Sequence, residues 1–149
     1  MEKVIDTYNA LVGGLVALLI AVFGVFWYLF AGYALLNVID WLTGWWKARK
    51  QGKESSKVGW RGAAKKVGYW CLIAAAFVVA NVLSHLGSDL LGLDLSFLSV
   101  IGWFTLASLF VNEARSICEN FVEMGFNVPE FFIKGLKVTA EMIDKSASK

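Results

Sequence analysis

Three stretches of this chain carry no Asp, Glu, Lys or Arg: residues 7–39, 67–88 and 95–112. An apolar helix of ~18 or more residues is long enough to cross the ~30 Å hydrocarbon core of a bilayer. Composition points the same way, with 58% hydrophobic and 17% charged residues, outside the range of soluble domains. Seven Trp and four Tyr add to it, because both favour the membrane–water interface. The expected fold is an all-α integral membrane protein, a single membrane domain over residues 1–149 with three to four transmembrane helices.

A basic island separates the first two uncharged stretches. Residues 47–66 hold eight Lys or Arg against one acid, Glu54, a net +7; the remainder of the chain has six basic and eleven acidic residues, a net −5. Clustered positive charge serves nucleic acid, anionic lipid or the cytoplasmic side of a membrane protein. Flanks that belong in a bilayer favour the last and argue against nucleic acid. The island is read as a cytoplasmic loop between membrane hairpins. The turn at 87–94 carries Asp89 and Asp94 and no base, the asymmetry expected when positive charge stays inside.

The first six residues mix Glu2, Lys3 and Asp6, and the apolar run after them is far longer than the ~7–15 residues of a cleaved signal. It is read as an anchor that stays. Residues 8–46 would measure roughly 58 Å as one helix, nearly two membrane thicknesses. Tyr8, Trp27-Tyr28 and Trp45-Trp46 mark intervals of one crossing each. With Gly32 near the middle marker, the run divides into segments at 8–27 and 30–46. The competing reading lays residues 1–15 flat on the surface and leaves one crossing. Further segments follow at 67–88 and 95–112, then a cytoplasmic tail at 113–149.

Polar residues inside these segments fall on helical faces. Asn37, Asp40 and Gly44 share one face of the second segment. Asp40 either reaches water or Lys47 near the loop, or faces a partner helix or a wet cavity. Asn81, Ser84, His85 and Ser88 form a stripe in the third segment, and Ser96, Ser99, Gly102, Thr105, Ser108 and Asn112 another in the fourth. Small residues let helices approach closely, so the second stripe reads first as packing. A face toward neighbouring subunits or a water path is the alternative. The His85 stripe is harder to leave against lipid.

The fourth helix is expected to run past Asn112 through Glu113, Arg115, Glu119 and Glu123 into the cytoplasm. Gly125 suits its cap, and Pro129 suits a new start. In the tail, Phe132, Leu136, Ala140 and Ile143 define an apolar face with Lys134, Lys137, Glu141 and Lys145 off it. This is a short amphipathic helix that lies on the membrane or on another subunit.

No enzymatic constellation is present. There is one His, no phosphate-binding Gly loop and no nucleophile elbow. Cys71 and Cys118 make neither a disulfide framework nor a metal cluster. The carboxylates of 113 and 119, close to Arg115, read as solvated surface ion pairs. No cofactor or metal is expected.

Three motifs stand in order along the chain. Asp40-Trp41-Leu42-Thr43-Gly44 closes a membrane helix. Ser55, Ser56, Gly59, Gly62, Lys65 and Lys66 punctuate the basic stretch. Asn112, Glu113, Ser116, Glu119 and Asn120 follow the last crossing, with Gly125 and Pro129 beyond. Together, over roughly residues 35–143, they resemble the toxin-secretion/phage-lysis holin family. The resemblance implies a phage or prophage protein of the bacterial inner membrane that self-associates and opens lesions. Its functional partner would be a cell-wall hydrolase (endolysin), or a secreted toxin in toxin loci. Two other functions use the same features. One is a non-lytic channel or transport subunit, with the stripes lining a narrow path. The other is a membrane anchor or scaffold that docks a cytoplasmic partner through the basic loop and tail.

Overall fold

The computed structural model describes residues 2–147 and contains no strand among them. Helix α1 spans Glu2–Phe23, a tight helical turn follows at Gly24–Phe26, and α2 spans Trp27–Lys50. Helix α3 is Ser56–Leu86, α4 is Ser99–Glu123 and α5 is Glu130–Ala147. The chain divides into two compact units, residues 1–35 and 36–149.

In the first unit the helical run breaks at Gly24, whose φ is 70°. The expected division near Trp27 and Gly32 is therefore displaced: Gly32 continues α2 as an ordinary helical residue. Three helical stretches among the described residues are long and apolar enough to cross a membrane: Gly24–Lys50, Gly59–Leu91 and Ser96–Glu123. The first expected segment falls on α1, whose apolar part, Ile5–Leu18, is shorter than these three. Three such helices among the described residues lie within the expected three to four.

The second unit corrects the basic stretch. Its ends are helical, with 47–50 in α2 and 56–66 in α3, so only residues 51–55 form the connection. Lys, Arg, Ala and Gln are good helix formers. Lys47, Arg49 and Lys50 occupy the last turn of α2, where positive charge complements the helix dipole. The connection closes on this turn through Gln51 N–H to Lys47 O and Lys53 N–H to Ala48 O.

Helices α3 and α4 form a hairpin. A wide helical turn at Gly87–Leu91 and a short one at Ser96–Leu98 occupy much of what the sequence reads as a plain turn. Ser84 Oγ donates to Leu95 O at 2.8 Å, tying the two ends. Asp94 accepts the Ser96 N–H at 2.9 Å, which holds its carboxyl below the usual aspartate range. In its first turn α4 lies against Phe77 at Gly102, where an added Cβ would fall 2.6 Å from ring carbons. Phe77 also meets Trp103 edge to face at 5.0 Å. Ile73, Ala80, Leu106, Val111 and Cys118 are buried, whereas Leu72, Val78, Val79, Val82, Val100 and Ile101 are exposed. So broad an apolar exterior fits lipid rather than water.

Helix α4 ends in a left-handed cap. Gly125 has φ 88°, its N–H reaches Val122 O, and the Phe126 N–H reaches Phe121 O at 3.0 Å. The Phe121 and Phe126 rings pack edge to face at 5.5 Å, the hydrophobic contact that accompanies this cap. The reversal sends α5 back along α4. Ile133 and Lys137 line a cleft with Arg115 and Glu119, and Ser146 lines another with Thr105 and Ser108. Leu136, Ala140 and Ile143 are half-buried. Except at exposed Phe132, the apolar face of the tail helix lies on its own chain, brought onto α4 by the Gly125 turn.

Candidate functional site

The site joins α2, α3 and α4 around one lysine. Lys66 Nζ lies 2.8 Å from Asp40 Oδ2 and donates to Glu113 Oε2. The side chains of Lys66 and Asp40 are each 16% exposed, and that of Glu113 is 3%. Asn120 Nδ2 donates to Asp40 Oδ1 at 3.0 Å and to Thr43 Oγ1 at 3.1 Å. Thr43 Oγ1 in turn donates to Asp40 O at 3.1 Å. Both oxygens of Asp40 are thereby engaged, one by charge and one by an amide.

Helical spacing explains the assembly. Asp40 and Thr43 are three residues apart on α2 and so share a face. Glu113 and Asn120 are seven apart on α4, two turns along one side. Lys66 supplies the one ammonium between two carboxylates. Burying charge costs several kcal/mol per ion, about regained only with good geometry and satisfied hydrogen bonds. Here the partners meet that condition. Two further links lie nearer the helix ends: Lys47 pairs with Glu123 at 3.4 Å, and Lys50 Nζ donates to Met124 O.

Beside the clamp lies an open groove of about 270 Å³. Asp40, Trp41, Gly44, Trp45, Lys47 and Ala48 line it from α2, Ser55, Gly59, Gly62 and Lys66 from the start of α3, and Ser116 and Asn120 from α4. A Cβ at Gly59 or Gly62 would meet nothing within 4 Å. These glycines leave the groove open rather than permit a contact within the chain.

The three sequence motifs thus converge on one place. The open choice at Asp40 resolves to partner helices, and Lys47 goes to Glu123 instead. Reading the 113 carboxylate as a solvated surface pair is wrong, because Glu113 is buried against Lys66. Only Glu119 keeps the expected surface pair, 3.5 Å from Arg115. A signal was present: Lys66 is the last base before an uncharged run, Asp40 the first acid after one, and Glu113 the first after another. Lys65 turns away and sits over the Tyr69 ring at 5.5 Å. Ser56 and Asn112 are exposed, Gly125 and Pro129 shape the turn into α5, and Asn37 is buried one turn before Asp40.

The stripes separate by residue. Asn81, His85 and Ser88 are exposed, with His85 Nδ1 2.9 Å from Asn81 O and Ser88 Oγ donating to His85 O. Ser84 leaves that stripe for Leu95. On α4, Ser99 and Thr105 bond to nearby backbone carbonyls and Ser108 is half-buried, while Ser96, in the turn before it, is exposed. Gly102 packs against Phe77 within the chain. Among the described residues no three His, Cys, Asp or Glu side chains are placed to hold a metal ion. The arrangement is a clamp between helices.

Fold and site together define an all-α membrane protein whose three membrane-length helices are joined by a largely buried ionic cluster. The bacteriophage holin family model matches residues 17–141, and the chain belongs to that family. An uncharacterized protein of Listeria innocua serovar 6a is 36% identical over 113 residues, covering 71% of this chain and 72% of its own. An uncharacterized protein of Listeria monocytogenes serovar 1/2a is 35% identical over the same shares. No solved structure matches the chain.

Proposed function

We propose that the protein acts as a holin: it accumulates in the bacterial cytoplasmic membrane, self-associates, and opens lesions that release a cell-wall hydrolase or, in a toxin locus, a toxin. Family membership supports this reading. The observation that carries it is the exposed stripe of Asn81 and His85 on α3 and Ser88 in the turn just beyond it, set among exposed Val78, Val79 and Val82. Polar side chains are costly to leave against hydrocarbon. Contact with other copies, or with water inside an assembly, removes that cost. The basic residues at 47–66 and the acidic turn at 87–94 support a cytoplasmic location for the first and for the tail.

The test is co-expression. Induced alone, the protein stops growth after a delay and collapses the membrane potential. Induced with a cytoplasmic hydrolase lacking an export signal, it causes lysis that neither causes alone. Asn81→Leu/His85→Leu inserts normally and delays or abolishes hydrolase release. Ion conduction without hydrolase release at high expression would replace this reading with a narrow channel.

A further inference from the structure

The first turns of α3 have two unlike sides. Gly59, Gly62 and Lys66 face the groove already described. Counting 100° per residue, Lys57, Arg61 and Lys65 follow one another at i, i+4 and i+8 on the other side. Trp60 stands beside them and is 75% exposed. All three basic side chains are exposed. No acid shares this face: Glu54 precedes the helix, and Asp40 and Glu113 are held on the opposite side by Lys66.

The next residues up the same side fix its depth. Gly68 and Leu72 continue it, both exposed, and the helix is uncharged from 67 onward. The three cations therefore stand within ~12 Å of helix at the place where α3 leaves its apolar stretch. That is the level of phospholipid headgroups, where Trp rests with its ring in the interface and long basic side chains extend to phosphate. Lys65 is oriented by Tyr69, with its ammonium 5.5 Å from the ring centre.

We propose that Lys57, Trp60, Arg61 and Lys65 form a binding site for the phosphate headgroup of anionic phospholipid in the leaflet on the basic side. Arg61 offers a planar fork suited to a phosphodiester, and Lys57 and Lys65 flank it as point charges one turn to either side. Trp60 seats the site at the interface. The site lies on the far side of α3 from the ionic clamp, so the two are separable by mutation.

The experiment is native mass spectrometry of the full chain released from detergent with a fixed mixture of phosphatidylglycerol and phosphatidylethanolamine. The wild-type protein retains phosphatidylglycerol preferentially. Lys57→Gln/Arg61→Gln/Lys65→Gln loses that preference, by roughly fivefold per charge and about a hundredfold for the three. Five bases of the 47–66 stretch remain in this variant, so insertion is not deprived of its orienting charge. Lys134→Gln/Lys137→Gln/Lys145→Gln on α5 removes equal charge elsewhere and keeps the preference. Lys57→Arg/Lys65→Arg keeps it too. Equal retention of the two lipids by the wild type, or equal losses in both Gln variants, overturns the proposal. So does selective binding of polyglutamate with no lipid preference, which would make the surface a dock for an acidic polypeptide.

Discussion

Lys66 Nζ on α3 stands 2.8 Å from Asp40 Oδ2 on α2, and its bond to Glu113 carries the same ammonium to α4, 47 residues along the chain. Its neighbour Lys65 has the same charge and lies on the headgroup side. One position of sequence, a turn of about 100°, separates a structural lysine from a surface one.

Removing that lysine leaves the buried Glu113 carboxylate and the largely buried Asp40 carboxylate without their shared cation. Lys66→Met is expected to lose about 3–5 kcal/mol of stability, read as a lower unfolding midpoint by circular dichroism in detergent. Lys66→Met combined with Asp40→Asn and Glu113→Gln recovers most of the loss, because no unpaired charge remains. An unchanged midpoint in Lys66→Met would remove the clamp from the account.

Thr43 and Asn120 couple through a single buried hydrogen bond of 3.1 Å. A double-mutant cycle of Thr43→Ala and Asn120→Ala should return an interaction energy of about 1 kcal/mol. Strict additivity would mean that the two side chains act independently.

Gly102 is a contact inside the chain. Gly102→Ala places a methyl carbon 2.6 Å from the Phe77 ring and should cost roughly 1–3 kcal/mol through overpacking. Phe77→Leu in the same chain should restore stability by making room. If Gly102→Leu instead dissociates crosslinked oligomers while the monomer's midpoint holds, the residue belongs to a subunit interface.

Gly125 holds φ at 88° to reverse the chain into α5. Gly125→Ala should destabilise by about 1 kcal/mol or more. Gly59→Ala, in a helical position with nothing within 4 Å, should be neutral or stabilising through helix propensity. The contrast between the two midpoints is the measurement.

Orientation is open to chemical labelling. In a background lacking Cys71 and Cys118, Ser88→Cys should react with an impermeant thiol reagent in intact cells, while Ser56→Cys reacts only after the membrane is opened. Reaction of Ser56→Cys from outside reverses the topology proposed for the basic stretch.

Sequence by itself determined the class of this protein. Uncharged runs of crossing length exclude water as the surrounding medium whatever their packing, and the spacing of residues 130–147 alone makes α5 amphipathic. The Gly125 cap was likewise local, since a positive φ and the two bonds around it involve only neighbours. Division of the first forty residues was not legible in aromatic markers, because a helix ends where one residue leaves the helical region, and Gly24 and Gly32 are equally able to do so. The clamp could be read only in part. Motifs placed Asp40, Lys66, Glu113 and Asn120 in view, but pairing depends on which sides of α2, α3 and α4 are turned together, and no local interaction encodes that rotation. Tertiary structure alone decided that Glu113 is buried, that Gly102 belongs to Phe77, and that α5 folds back on α4. Each is a contact between residues far apart in sequence, settled by the packing of whole helices rather than by any helix alone.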